Sequence, residues 1–395
     1  METTIVGQGY VGLPLAMAAC AAGLKVNGLD TNTRKISYLA SGKSDIEDIS
    51  DMDIQSALHS GFYTPTSDYS VVGNSDVILI CVPTPLTSDR KPNLEILTEA
   101  ISEVSKNLKK GSIVIVESTI QPGTCRNLLI PLLLKKSGLK IEDIDFAYSP
   151  ERIDPTNQNW NVKNTPKLVA GNTSSARDRA VEFYQKFVNS TINCSSLEVA
   201  EMAKLLENSF RLVNISFINE IADFCQKIDV NVSEVIEAAS TKPYGFMPFY
   251  PGLGAGGHCI PVDPQYLLEA AKESGSDIKF IEYAAQVNYN RPKYFIDLAK
   301  KRIGDLNNKK ILVVGVAYKP NVSDVRETPV ETLISGLKKK GAQVSWHDDL
   351  VTNWNGEKSV GLSSDFDLAI IATPHDYLDL KKLGNIPILN TRGSV

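Results

Sequence analysis

The chain has 395 residues, 43% of them hydrophobic and 22% charged, which is the balance of a globular protein and excludes a disordered one. At roughly 100–200 residues per domain it holds two or three domains. Lysine and arginine number 41 against 46 acids, a net charge of −5, so no broad positive field points to nucleic acid.

Six cysteines (Cys20, Cys81, Cys125, Cys194, Cys225 and Cys259) form no CxxC pair and no Cys/His ligand spacing. They read as reduced thiols of a cytoplasmic protein, with neither a disulfide framework nor a metal site. The stretch Tyr10 to Leu24 has 15 uncharged residues, short of the ~18 that argue for a membrane span. No basic segment precedes it, so a signal peptide is not expected either.

Thr3 to Val6 predicts a first strand. GQGYVG (7–12) follows, then an Ala-rich helical stretch to Ala22, ended by Gly23. LKVNGLD (24–30) predicts the next strand, closing on Asp30. Strand, glycine turn, helix, strand and acid make one βαβ unit of a parallel sheet. SDVILICV (75–82), SIVIVEST (112–119), DFAYSP (145–150) and KLVAG (167–171) predict further strands.

From Leu197 to Ile228 one helical pattern runs without Pro or Gly. Val199, Met202, Leu206, Val213, Phe217, Ile221, Phe224 and Ile228 recur at steps of three and four, apart from a seven-residue step after Leu206. Such a helix connects domains and is compatible with a dimer contact, although a buried intrachain helix gives the same pattern. KPYGFMPFYPGLGAGGHCIPVDP (242–264) is too rich in turn formers for regular structure, and a long irregular segment in a compact chain is usually functional. Two helical stretches follow, to about Arg302. Then the opening pattern returns: KKILVVGVAYKP (309–320), PVETLISGLKKKG (329–341), AQVSWHDD (342–349) and FDLAIIATPH (366–375) read as strand and loop, helix, strand, strand. The fold class is α/β, with two parallel-sheet domains flanking a helical one.

Gly7, Gly9 and Gly12 fit G-x-G-x-x-G after a strand and at the start of a helix, where glycines let a pyrophosphate approach the helix N-terminus. Asp30 lies 23 residues after Gly7, placed for an adenosine ribose diol. An acid there favours NAD over NADP, an inference that Arg34 nearby weakens. Cys259 in GAGGHC sits where a thiolate is accessible as a nucleophile; the alternative is a packed thiol. Lys204 and Asn208 are i, i+4 on one helix face, suited to an oxyanion or simply solvated. Glu151 and Asp154 follow a strand end, as does Thr119, where ligands of open parallel sheets bind. Lys319 and Arg326 suit the phosphates of a nucleotide-linked substrate or a solvated basic loop.

Taken together, GQGYVGLPLA, VPTP (82–85), EST with PGT (117–124), SPER (149–152), EMAKLLEN (201–208), GGHCIPVDP (256–264) and GVAYKPNVSDVRETP (315–329) resemble the UDP-glucose/GDP-mannose dehydrogenase family over nearly the whole chain. The resemblance implies a Rossmann NAD-binding domain at 1–195, a central helical domain with the cysteine loop at 196–302, and a Rossmann-like UDP-sugar-binding domain at 303–395. It implies a homodimer through the long helix and a double oxidation of a nucleotide-sugar C6 alcohol by two NAD⁺ in turn. Cys259 would form a thiohemiacetal and then a thioester, which water activated near Asp263 hydrolyses. Lys204 and Asn208 would hold the oxyanion, and Glu151 and Thr119 would serve the chemistry. Cofactor contacts would come from Gly7, Gly9, Tyr10, Val11, Gly12, Asp30, Arg34, Pro83, Thr84, Thr119 and Arg326. Glu151, Arg152, Lys204, Asn208, Tyr250, Gly256, Tyr318 and Lys319 would meet the substrate. No metal is implied.

Members acting on UDP-glucose carry a second glutamate where this chain has Pro155, beside Asp154, and tend to have Ser in place of His258. The SPERIDP and GGHCIPVDP pair resembles instead the UDP-N-acetylhexosamine branch, with UDP-N-acetylglucosamine preferred and UDP-N-acetylmannosamine or UDP-glucose as alternatives. More distant alternatives are a single-step hydroxyacid dehydrogenase, which needs no cysteine nucleophile, and a non-catalytic NAD sensor.

Overall fold

Strand β1 (Glu2–Val6) buries every residue after its first, as a strand covered by helices on both faces does. In the computed structural model, which describes residues 1–46, 48–154, 157 and 159–392, the chain divides into two units. One is Met1–Leu206 with Gln265–Glu273, the other Glu207–Pro264 with Ser274–Val395. In the first unit, α1 (Gly12–Ala21) and β2 (Lys25–Leu29) complete the βαβ opening. After them come α2 (Thr33–Ala40), α3 (Asp51–His59), β3 (Tyr63–Thr66), β4 (Val77–Ile80) and α4 (Glu95–Asn107). Then follow β5 (Ile113–Val116), α5 (Ile130–Ser137), β6 (Asp145–Tyr148), β7 (Lys167–Gly171), α6 (Ser174–Tyr184) and β8 (Thr191–Asn193).

These strands form one sheet in the order β3-β2-β1-β4-β5-β6-β7-β8, parallel except where β7 turns back against β6. Alternate strand residues feed two cores: Ile78, Ile80, Val114 and Val116 pack with Leu97 and Ile101 of α4, and Leu79 and Ile115 with Leu13 of α1 and Phe183 of α6. Strand order reverses between β1 and β4, which opens the ligand crevice of such sheets outside their carboxyl ends. Two strands had no sequence signal. YTPT of β3 carries Pro65, tolerated because β3 is the sheet edge, and β8 is three residues at the other edge.

Helix α7 (Leu197–Lys227) has 31 residues, about 46 Å at 1.5 Å per residue, and runs from the first unit into the second. Phe210 fills the seven-residue step in its apolar series. Most of that series faces away from the core: Val199, Met202, Leu206, Phe210, Phe217, Phe224 and Ile228 are exposed, while Val213 and Ile221 are half-buried and Ile221 packs against Val232 and Ile236 of the helix that follows.

The second unit adds α8 (Val232–Ser240), the irregular 242–262 segment and α10 (Lys279–Ile303), while α9 (Asp263–Glu273) belongs to the first unit from Gln265 on. Beyond them lie β9 (Lys310–Val314), α11 (Pro329–Lys339), β10 (Gln343–His347), the short pair β11 (Asn353–Trp354) and β12 (Glu357–Lys358), β13 (Leu368–Ile371) and β14 (Ile388–Asn390). Its parallel sheet runs β10-β9-β13-β14, with Ile311 and Val313 packed on Leu333 and Leu337 of α11 and Phe295 of α10. No helix among the described residues is long and apolar enough to cross a membrane.

Candidate active site

The turn after β1 is as tight as glycine permits. Gly7 has φ +90°, and a Cβ on Gly12 would lie 1.8 Å from the Gly7 carbonyl oxygen, a clash that only glycine avoids. A Cβ on Gly9 would meet nothing within 4 Å. Open space at the middle glycine, with Val11 preceding α1 and giving it no side-chain cap, is the cradle a pyrophosphate needs, so the residues present fit NAD.

Asp30, half-buried after β2, accepts the Gln8 N–H at 2.8 Å and the Asn32 N–H at 2.9 Å. Gln8 is itself fixed: its Nε2 donates to the Ile5 carbonyl at 2.7 Å, and the Tyr63 hydroxyl donates to its Oε1 at 2.8 Å. Gly28 leaves the room, since a Cβ there would stand 2.4 Å from that hydroxyl. Tyr10 and Val11 are half-buried in the turn and Arg34 is exposed in the first turn of α2.

Pro83 and Thr84 follow β4, and the Tyr266 hydroxyl donates toward the Thr84 carbonyl at 3.2 Å. Thr119 follows β5, half-buried. Its loop is pinned from α7, where Glu201 accepts the Gly123 N–H at 2.6 Å and the Cys125 N–H at 2.9 Å. Glu151, just past β6, has both oxygens engaged. Oε1 accepts the Arg152 and Ile153 N–H groups at 2.6 and 2.7 Å, and Oε2 accepts Lys167 Nζ at 2.9 Å. Burial alone would raise its pKa, but Lys167, the Ile153 N–H and the Lys204 charge together hold the carboxyl below the usual range. Lys204 is buried on α7. Arg152 Nη1 donates to the Pro166 carbonyl at 2.7 Å. Asp154 is half-buried, and Pro155 lies outside the described residues.

Sequence reasoning passed over three groups here. Lys167 also donates to Glu117 Oε2 at 2.5 Å, and the Tyr184 hydroxyl donates to Glu117 Oε1 at 2.5 Å. Burial pushes Glu117 up to about 7, with Lys167 opposing it. The available signal was a lysine heading an otherwise apolar strand, KLVAG.

In the second unit the Gly/Pro-rich segment is irregular yet tethered. Gly252 N–H donates to Asn219 Oδ1 at 2.9 Å, Arg291 Nε to the Gly252 carbonyl at 3.1 Å, and Ala255 N–H to Asn288 Oδ1 at 2.6 Å. Gly256 and Gly257 then pass against the loop after β9. A Cβ on Gly256 would be 2.8 Å from the Glu327 carbonyl and 2.9 Å from Tyr318 Cβ, and Gly257 N–H donates to the Arg326 carbonyl at 3.1 Å. Tyr318 and half-buried Lys319 are therefore beside the cysteine loop, with Lys319 Nζ 5.8 Å from the Tyr318 ring centroid. Arg326 is exposed and its guanidinium is held by Asp324 at 2.6 Å. Tyr250 is 56% exposed.

Cys259 is exposed, whereas the other five cysteines are buried. Its carbonyl accepts the Asp263 N–H at 2.8 Å, and buried Asp263 accepts Asn208 Nδ2 at 2.5 Å. Thiol, carboxylate and amide are thus tied through one helix start. Burial, then the Arg326 charge, lowers the His258 pKa, so this imidazole brings no positive charge to the thiol near neutral pH. Chemically, the first unit offers a dinucleotide cradle with an ionised carboxylate. The second offers an accessible thiol with a carboxylate and amide beside it.

Comparison with known proteins covers most of the chain. Residues 1–188 match the NAD binding domain of the UDP-glucose/GDP-mannose dehydrogenase family, residues 198–290 its central domain and residues 312–389 its UDP binding domain. A UDP-N-acetyl-D-mannosamine dehydrogenase of Campylobacter jejuni is 33% identical, covering 86% of this chain and 84% of the relative. A UDP-N-acetyl-D-glucosamine 6-dehydrogenase of Pseudomonas aeruginosa is also 33% identical, covering 97% of this chain and 92% of the relative. Among solved structures, a UDP-D-ManNAc dehydrogenase from Pyrococcus horikoshii superposes with a TM-score of 0.91 at 30% identity, covering 100% of both chains.

Proposed function

The chain belongs to the UDP-glucose/GDP-mannose dehydrogenase family, and we propose that it oxidises the C6 alcohol of a UDP-N-acetylhexosamine to the carboxylate, with UDP-N-acetylglucosamine preferred. It is an NAD-dependent enzyme. The observation that carries the four-electron reading is Cys259, exposed on a tethered glycine loop with its carbonyl holding the amide of Asp263.

Bound NAD⁺ supplies a hydride acceptor at its nicotinamide. The alcohol loses one hydride and one proton to reach the aldehyde. The Cys259 thiol adds across the aldehyde carbonyl to give a thiohemiacetal, and loss of a second hydride and proton leaves the thioester. Water then displaces the thiol, releasing the carboxylate and regenerating Cys259. In this scheme Lys204 and Asn208 steady the oxyanion, Asp263 orients the water, and Glu151 and Thr119 serve proton handling near C6. Tyr318, Lys319, Arg152, Tyr250 and Gly256 contact the UDP-sugar, while Asp30, Arg34, Pro83, Thr84 and Arg326 contact NAD. A second reading, UDP-N-acetylmannosamine as substrate, is favoured by the full-length likeness to the Pyrococcus horikoshii enzyme. The exposed apolar face of α7 supports a homodimer, with a second copy of this chain covering it. Reduced, catalytic Cys259 suits a cytoplasmic location.

The test is NADH formed per sugar consumed, run to completion with UDP-N-acetylglucosamine, UDP-N-acetylmannosamine and UDP-glucose. Two NADH per sugar supports the thioester route and the productive sugar identifies the substrate. One NADH removes Cys259 from the mechanism, and none from any sugar removes the substrate assignment.

A further inference from the structure

Lys167 is a buried lysine that no step above uses. It stands opposite Glu151 because of the one antiparallel pairing in the first sheet. Ala147 pairs with Gly171 and Tyr148 with Ala170. Carrying that register onward puts Lys167, the first residue of β7, across from Glu151. The reversal therefore delivers a strand's first residue to the sheet edge where β5 and β6 end, the edge at which ligands of such sheets bind. The result is a chain of alternating charge. Tyr184 donates to Glu117, Glu117 accepts Lys167, and Lys167 donates to Glu151, with Lys167 Nζ also 5.4 Å from the Tyr184 ring centroid. Side-chain exposure is 6% for Lys167, 0% for Glu117 and 13% for Glu151. A purely mechanical brace needs no ions, because burying charges costs more than packing apolar groups. Here they lie directly behind a carboxylate at the ligand edge.

We propose that Lys167 is a positioning residue for Glu151, fixing the carboxylate's orientation and keeping it an anion, with Glu117 and Tyr184 anchoring the lysine from behind. The inference rests on the proposed role of Glu151 at the substrate. Both Glu151 oxygens are engaged by donors, so the carboxylate is held in one orientation, and a proton taken up at Oε2 competes with its Lys167 contact. Among the described residues of the first unit, Lys204 from α7 and Cys81 after β4 also act on this cluster, and Arg152 stands beside it.

Loss of the Lys167 charge alone should move the titration of Glu151, which separates this role from a structural one. The measurement is the pH profile of kcat/KM. Removing the cation in Lys167→Met should move the acid limb up by about one to three pH units. Glu117, raised to about 7, is already protonated on that limb, so Glu117→Gln should leave it near the wild-type position, and so should Lys167→Arg. If Lys167→Met does not fold, the Lys167→Met/Glu117→Gln pair replaces it, with the same upward shift expected. Carbon-13 NMR titration of labelled glutamate without cofactor, assigned with Glu151→Gln, should show the same displacements for Glu151 itself. An acid limb that stays put in Lys167→Met and in the double variant, or that Lys167→Arg moves as far as Lys167→Met does, overturns the proposal. Glu151→Gln tells the two ideas apart: wild-type activity there removes the role of Glu151 altogether. Lost activity with an unmoved limb removes only the part assigned to Lys167.

Discussion

Asp348 and His375 hold each other at 3.0 Å, with neither side chain reaching solvent. The Asn321 N–H donates to His375 Nδ1 at 2.9 Å, which places the ring proton on Nε2, pointing at Asp348. Asp348 also accepts N–H groups from Val316 at 2.9 Å and Leu350 at 3.0 Å. It occupies, in the second parallel sheet, the place that Asp30 occupies in the first: the turn glycine N–H donates to the second strand in both, Gly7 to Leu29 at 2.7 Å and Gly315 to His347 at 2.8 Å. One acid is half-buried and the other is sealed from solvent, so on the proposed reading only Asp30 is placed to meet a ribose.

The two acids should therefore fail differently. Asp30→Ala should weaken NAD binding by about 1.5–3 kcal/mol, a loss of charged hydrogen bonding, with kcat little changed; calorimetric Kd values check it. Asp348→Asn should leave the NAD Kd unchanged and lower stability instead. Burial raises the Asp348 pKa, but the His375 and Val316 bonds outweigh it and hold the carboxyl below its usual value. A depressed carboxylate contributes stability above its unfolded pKa and loses it as pH falls through the folded value. The gap in denaturant midpoint between wild type and Asp348→Asn should be full at pH 7 and close below about pH 4.

The glycine turn makes a sharper pair. Gly12→Ala drives a Cβ into the Gly7 carbonyl at 1.8 Å, so backbone must move and both stability and NAD binding should fall. Gly9→Ala meets nothing within 4 Å and should fold with stability within about 0.5 kcal/mol of wild type. It should nonetheless lose at least roughly tenfold in NAD affinity, about 1.4 kcal/mol, because its methyl fills the space the pyrophosphate enters. Equal NAD affinity in Gly9→Ala would remove this turn from cofactor binding.

Those glycines were legible in sequence because their constraint is local: a tight turn between strand and helix admits few other residues. The central strands of both sheets and the helices between them were legible for the same reason, since strands covered on both faces are apolar runs, whereas the edge strands β3, β8 and β14 were not. Lys167 was not. Its meaning depends on β7 running against β6, and nothing in KLVAG encodes direction. Likewise the three-four period of α7 was visible, but periodicity reports that a helix has an apolar face and not what covers it. His375 and Asp348 escaped because their pairing joins β10 to the end of β13 across 27 residues.

Cys259 can be tested apart from the fold because its side chain is exposed. Cys259→Ala should keep stability within about 0.5 kcal/mol and should lower NADH per sugar from two to one at most. Asn208→Ala, which strips Asp263 of its 2.5 Å donor, should slow the second oxidation or the hydrolysis while leaving NAD affinity intact. Rapid-quench analysis should then find the sugar held on Cys259. Two NADH per sugar from Cys259→Ala would exclude the thioester route.

The apolar face of α7 gives the last prediction. Its series runs unbroken at steps of three and four from Val199 to Ile228, and Phe217 and Phe224 are each 57% exposed. A face of this length left to water would cost solubility, whereas a second copy laid on it buries both rings. Burying each ring is worth at least about 1.5 kcal/mol, so Phe217→Asp/Phe224→Asp should raise the dimer Kd by more than roughly a hundredfold. Light scattering on a sizing column should show a dimer for wild type and a monomer for the double variant. The variant's monomer should remain folded, since both positions are already at the surface. A wild-type monomer at tens of micromolar, or a variant that stays dimeric, would place the subunit contact elsewhere and leave the face to another partner.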